Sequence, residues 1–354
     1  MQLLRNFATV GAFTAVSRVL GFVRDLLVAA VLGAGPISDA FFVAFKLPNL
    51  FRRLFAEGAF NSAFVPLFAR VRAEEGPSGG EQFASSVLSW LLVILLALTT
   101  LAELFTPLFV LVLAPGFSGA EQVDLTVLYM RICFPYLVAM SLVALLSGIL
   151  NTLDKFAAAA FAPVILNIVL IGGLAAASWL DVTPREAGLI MCAGVFLAGI
   201  LQLVLLIFAV RRLGVHLTLK RPRSSPRVKR LLTLAIPGIA AGGITQINIV
   251  AGTIIASFWT GAVSHLYYAD RLYQLPLGMV GIAIGVALLP DLSRRLRAND
   301  VGGALWTQNR ALEFALMLTL PAAAALIVVP LELVVVLFER GAFTREDAAL
   351  TAAA

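Results

Sequence analysis

Six stretches of this chain stay apolar for longer than a strand or an ordinary buried helix requires: residues 87–113, 125–150, 157–180, 187–210, 231–259 and 311–338. Each exceeds the roughly 20 residues that carry a helix across a hydrocarbon core about 30 Å thick. A backbone in lipid must satisfy its own hydrogen bonds, so a series of such segments means helices. Composition agrees, because 60% of the 354 residues are hydrophobic and 13% charged, whereas a soluble domain keeps about 25% charged to cover itself. The expected fold is an all-α polytopic membrane protein, and the expected work is movement across the bilayer rather than chemistry in water.

Turn chemistry and charge divide the chain further. Nine spans are expected, at 4–32, 39–71, 85–113, 122–151, 156–180, 184–212, 228–260, 265–296 and 304–338. Gly/Pro-rich segments at 33–36, 75–80 and 114–117 separate several of them. Arg5, Arg70, Arg72, Lys155, the run 211–230 and Arg294, Arg295, Arg297 and Arg310 fall on one side, against Arg185, Arg340 and Arg345 on the other. The positive-inside rule makes the first side cytoplasmic, and with it the N-terminus. The +6 net charge therefore belongs to loops and is no nucleic-acid footprint. The run 211–230, which includes His216, is expected to be a basic linker that lies partly amphipathic on anionic headgroups. Cys133 and Cys192 lie inside spans and read as small buried hydrophobes.

An internal repeat organises the spans. Gly35–Ser38 with Phe41 and Phe42 matches Gly261–Ser264 with Tyr267 and Tyr268; Pro66–Arg70 matches Pro290–Arg294; Pro107 with its apolar run matches Pro330. Ser264 follows Ser38 by 226 residues, Pro290 follows Pro66 by 224 and Pro330 follows Pro107 by 223. The repeat unit is six spans, an even number, so the copies run parallel around an axis along the membrane normal, as in two-lobed transporters. The expected domains are a first six-helix lobe at 1–212, a basic cytoplasmic linker at 213–227, and three helices of a second lobe at 228–354. A second copy of equal length would continue past residue 354, and residues 347–354 read as the opening of another helix. The expectation is a portion of a longer chain, with a nine-span protein as the alternative.

Charges within spans are the informative residues, since one at a helix centre costs roughly 2.5–3.5 kcal/mol on insertion scales and so faces a partner or a wet cavity. The first two spans hold Arg18, Arg24, Asp25, Asp39, Lys46, Arg52, Arg53 and Glu57; later ones add Arg131, Asp270 and Arg271. Arg18 and Asp25 share a helix face, and Arg24 points elsewhere. Lys46, Asn49, Arg53 and Glu57 form one stripe in which Arg53 can pair with Glu57. Arginine's planar fork suits phosphate or carboxylate, so Arg18, Arg24, Arg52 and Arg271 point to a cationic cavity for an anionic headgroup, against a bland reading of ion pairs and snorkelling side chains. Enzyme signatures are missing from the sequence: no Walker A, dinucleotide fingerprint or metal-spaced cluster occurs, and neither a metal nor another cofactor is expected. Ser147 and His265 raise an intramembrane serine protease, but Leu145 stands where that context wants glycine.

The string from Ser17 through Arg18, Gly21, Arg24 and Asp25 resembles the first helix of the MurJ/MviN family of lipid II flippases. Residues 39–60, with Asp39, Lys46, Pro48, Arg52, Arg53 and Glu57, resemble that family's second helix, and the likeness continues through 114–117, 134–136, 149–151, 161–167, 267–272 and 288–290. The resemblance implies a bacterial inner-membrane member of the multidrug/oligosaccharidyl-lipid/polysaccharide exporter superfamily. The implied substrate is lipid II, bound through Arg18, Arg24, Arg52 and Arg271 with Asp25, Asp39, Arg53 and Glu57 as supporting cavity charges. Membrane lipids and peptidoglycan-synthesis proteins are the further implied partners. Two other readings stay open at this point: a flippase for another polyprenyl-linked glycan or a drug exporter, and a non-transporting scaffold for cell-wall enzymes.

Overall fold

A computed structural model describes residues 2–52, 59–117, 119–222, 225–284 and 288–354, and among them the chain is helices joined by turns. In order they are α1 (Gln2–Leu32), α2 (Pro36–Arg52), α3 (Ala59–Leu104), α4 (Thr106–Leu113), α5 (Ala120–Cys133), α6 (Tyr136–Thr152), α7 (Ala157–Trp179) and α8 (Pro184–Arg212), followed by α9 (Pro226–Ala256), α10 (Ala262–Ala283), α11 (Leu289–Arg297), α12 (Val301–Val328), α13 (Pro330–Phe338) and α14 (Arg345–Ala353). Large apolar side chains face outward all along them, Leu104, Phe208 and Ile247 each being more than 60% exposed. Such a surface suits lipid and not water.

Local sequence explains where the helices start and stop. Thr183 and Glu186 form a reciprocal capping box at α8, with Pro184 in the first turn, where a missing N–H is no loss. Gly76 takes φ 74° and ψ −174° within α3, which reverses the chain between two spans; this backbone region is open to glycine and closed to most other residues. The spans expected at 85–113, 122–151 and 304–338 are each two helices, broken just before Pro107, at Phe134-Pro135 and before Pro330. A proline removes a donor and clashes with the preceding turn, so apolarity continues while the helix does not.

The N-terminal helices α1–α8 form a packed group in which α7 lies against α1 and α8, and α3 against α6. Tyr129 and Tyr136 are fully buried there. The Tyr129 hydroxyl donates to the Arg185 carbonyl at 2.7 Å. Gly188 and Gly199 leave room for these two rings. Among its described residues the linker is held extended against α3, with the Thr218 and Lys220 amides donating to Ser85 Oγ (3.1 Å) and Ser89 Oγ (3.0 Å). Val215 is buried at 3% exposure. Two buried hydroxyls one helical turn apart match two amides two residues apart on an extended strand, which fixes the path of the segment along α3.

Candidate cationic site and the polar seal beside it

The site is built where α1 meets α10. Along α1, Arg24 lies eight residues from the Leu32 end, about 12 Å by helical rise; along α10, Arg271 lies nine residues from Ala262, about 14 Å. Both guanidinium groups therefore sit at one depth, and Asp25 joins them. Arg24 Nε and Nη2 donate to Asp25 Oδ1 at 3.0 and 2.7 Å. Arg271 Nε stands 3.2 Å from Asp25 Oδ2. The Asp25 side chain is 2% exposed, against 14% for Arg24 and 27% for Arg271.

Uncharged residues fix the geometry of these three. Asn167 on α7 accepts from Arg24 Nη1 at 3.0 Å and donates to the Ser17 carbonyl at 2.9 Å, so it ties the guanidinium to its own helix. The Tyr267 hydroxyl donates to Asp25 Oδ1 at 3.0 Å and accepts from Arg24 Nη2 at 3.4 Å. Its ring is stacked on Phe42 of α2 with centroids 3.9 Å apart. The Arg271 guanidinium covers the same ring, 4.4 Å from its centroid, a cation–π contact that orients the arginine. Arg271 Nη1 also donates to Gln274 at 3.1 Å.

Cations outnumber carboxylates around the cluster: Arg18, Arg24 and Arg271 stand against the fully buried Asp25 and the exposed Asp270, whose charge also acts on Arg271. Six residues before Arg24, the exposed Arg18 reaches across to α10, where a Cβ on Gly278 would collide with its guanidinium. Surplus positive charge in a low-dielectric setting attracts an anion strongly. An arginine pair offers forked donors that match phosphate oxygens.

Asp39 does not join this cluster. It is completely buried in the first turn of α2, and its carboxylate reaches across to the N-terminal end of α10. Its Oδ2 accepts from the Gly261 amide at 2.7 Å, and its Oδ1 from the Ser264 amide and hydroxyl at 2.8 and 2.5 Å. The C-terminal end of α1 is completed in the reverse sense: the Ala342 amide donates to the Ala30 carbonyl at 2.7 Å, and the Tyr268 hydroxyl to the Gly33 carbonyl at 3.0 Å. Ser257 Oγ accepts from the Gly116 amide at 3.0 Å. Helix ends carry backbone groups with no partner of their own, and here each group of helices completes ends of the other. The result is a polar seal at the cation-poor end of the molecule.

Arg24, Asp25 and Arg271, singled out in the sequence, are thus brought together, and Arg18 flanks them. The α2 backbone ends at Arg52, and the Arg52 side chain, Arg53 and Glu57 lie outside the described residues. Asn167, Tyr267 and Gln274 were missed as site residues. Tyr267 could have been found from the repeat, since its neighbour Tyr268 matches Phe42, the residue Tyr267 stacks on.

A family model described as Lipid II flippase MurJ matches residues 28–354. Similarity extends to a protein named "Probable lipid II flippase MurJ" in Rhizobium tropici, 49% identical over 352 residues, which are 99% of this chain and 66% of that one. The chain thus spans a little under two thirds of that relative's length. A solved structure titled "Lipid II flippase MurJ, inward closed conformation" superposes with a TM-score of 0.80 at 29% identity, covering 97% of this chain and 70% of that one. An inward-facing multidrug resistance MATE family transporter of the MOP superfamily shares the fold, with a TM-score of 0.72 at 16% identity over 95% of this chain and 76% of that one.

Proposed function

Because the chain belongs to the MurJ family of lipid II flippases, we propose that it translocates lipid II, the undecaprenyl-pyrophosphate-linked peptidoglycan precursor, from the inner to the outer leaflet of the bacterial cytoplasmic membrane. The observation that carries this reading is the cluster in which Arg24 and Arg271 share the single buried carboxylate of Asp25. A pyrophosphate would supply an anion to this cluster, and Arg18, six residues earlier on α1 and beside Gly278, is proposed as a further donor to it. By the family likeness of residues 39–60, Arg52, the last residue of α2, is proposed as a further substrate contact and Arg53 and Glu57 as supporting charges.

Residues 1–212 act as one lobe, 213–227 as the linker and 228–354 as part of a second lobe, with the N-terminus cytoplasmic. The polar seal holds the outer side shut while the headgroup enters from the inner side. Rocking of the lobes then parts the seal, and water takes over the backbone groups that the lobes had satisfied for each other. The work is binding and reorientation, without bond cleavage.

The test is display of lipid II on the outer face of cells depleted of their own flippase and supplied with this protein, together with lipid II binding to the purified chain in vesicles. Restored display and tight binding, both lost on Arg24→Ala or Arg271→Ala at normal membrane expression, are expected. Lipid II binding indifferent to both substitutions refutes the assignment and favours another polyprenyl-linked glycan.

A further inference from the structure

A second cationic feature lies away from the cluster, on the seam where α3 packs along α9. The seam contains a cleft of about 380 Å³. It is lined by Arg70 of α3 and Arg230 of α9, by Ser62, and by the apolar Ala63, Pro66, Leu67 and Leu234. The order along both helices is the same. Moving from the cation-rich end inward, α3 passes from Arg70 to Leu67, Pro66 and Ala63, and α9 passes from Arg230 to Leu234. Charge comes first and apolar wall follows, which is the sequence of a phospholipid entering from its headgroup.

The ion pairs around the cleft leave positive charge unspent. Arg70 is paired with Glu74 at 2.7 Å, and Arg227 with Glu75. Both nearby carboxylates are thereby committed. Arg230 and its neighbour Lys229 are exposed and have no ion pair among the described residues. The wall is open on one side, its Leu234 being 51% exposed. A soluble anion would use the arginines and leave this wall wet; an amphiphile covers both.

We propose that the α3–α9 seam binds an anionic phospholipid of the bilayer, its phosphate on Arg230 with Lys229 beside it and an acyl chain along Pro66, Leu67 and Leu234. One lipid would then touch both groups of helices across a seam already joined by the Arg227–Glu75 pair. The proposal does not rest on lipid II translocation, since none of these residues belongs to the α1–α10 cluster.

The test uses the purified chain in phosphatidylcholine nanodiscs doped with a photoactivatable phosphatidylglycerol, with adducts mapped by peptide mass spectrometry. Adducts are expected on segments 62–74 and 227–236. Arg230→Gln combined with Lys229→Gln should lower them about tenfold, while Arg340→Gln leaves them unchanged. Both variants change exposed side chains, and unaltered circular dichroism and gel-filtration profiles check the fold. Labelling that persists in the double variant, equal labelling by a phosphatidylcholine probe, or complete displacement by millimolar glycerol 3-phosphate would each overturn the proposal, the last by showing a site for soluble anions. Lipid II binding measured on the same variants should stay at its original level, which separates failure here from failure of the flippase reading.

Discussion

Removing the Asp39 carboxylate should unlatch the seal far from where it is removed. In the sealed state this buried side chain is the acceptor for two α10 backbone amides and the Ser264 hydroxyl, all at 2.5–2.8 Å. Asp39→Ala leaves the Gly261 and Ser264 amides buried without an acceptor, at about 1–3 kcal/mol for each donor. In a separated state water reaches the same amides, so the substitution costs little there. The sealed state should therefore lose about 2–6 kcal/mol relative to the separated one, a shift of between about 30-fold and about 10⁴-fold. Asp39→Asn keeps an acceptor oxygen and loses the charge, and it should fall between.

Amide hydrogen exchange distinguishes a broken seal from a frayed cap. Faster exchange at Gly261 and Ser264 alone would follow from local loss of the cap. The Ala342 amide, bonded to the Ala30 carbonyl on α1, does not touch Asp39 but closes the same junction. If the cross-capping bonds act together, its exchange must accelerate in Asp39→Ala as well. Fast exchange at α10 with Ala342 still protected would refute the reasoning, since Asp39 would then cap a helix without holding the seal.

The seal can also be strained sterically: a Cβ on Gly116 would fall 2.5 Å from the Phe258 Cα, so Gly116→Ala should raise Ala342 exchange while every capping residue remains. Tyr267→Phe removes the hydroxyl shared by Asp25 and Arg24 but keeps the stack on Phe42 and the Arg271 contact. Loss of about 0.5–1.5 kcal/mol should weaken lipid II binding roughly 2- to 12-fold in a vesicle binding assay. Arg271→Lys preserves charge and forfeits the fork shared between Asp25 and Gln274, so its binding should lie between that of the native chain and Arg271→Ala; affinity equal to native would show that charge alone suffices.

Different physical signals made different parts of this molecule legible. Apolar length is a strong one, and the segments read as spans correspond to helices or to pairs of helices; α5 and α6 escaped separation because hydropathy carries on through Phe134-Pro135 while hydrogen bonding does not. The cost of burying charge singled out Arg24, Asp25 and Arg271. It could not show that Arg24 turns back onto its sequence neighbour Asp25, because adjacent residues on a helix ordinarily point apart; Asn167 and Tyr267, on other helices, hold it there. Asp39 was hidden for another reason. A carboxylate in the first turn of a helix is the ordinary complement to that helix's own dipole, and nothing local reveals that its donors lie 222 and 225 residues away.

The repeat explains why the seal is where it is, and its exceptions explain why the molecule is not symmetric. Ser38 and Ser264, matched at an offset of 226, are hydrogen-bonded to each other at 2.9 Å, as expected of equivalent residues that meet near a pseudo-twofold axis. Strict symmetry would give α2 a carboxylate cap from α10 in return for the one that Asp39 provides. The matching position is His265, whose Nδ1 instead lies 3.0 Å from Thr351 Oγ1 within the C-terminal helices. The cluster departs from symmetry as well: the same offset takes Arg24 to Val250, and Phe45 to Arg271. The two arginines are therefore contributions from unrelated positions, gathered at the α1–α10 seam, while the α3–α9 seam carries the different pair Arg70 and Arg230. The repeat accounts for the meeting of Ser38 with Ser264, and divergence at a few charged positions accounts for the different residues that the two seams carry.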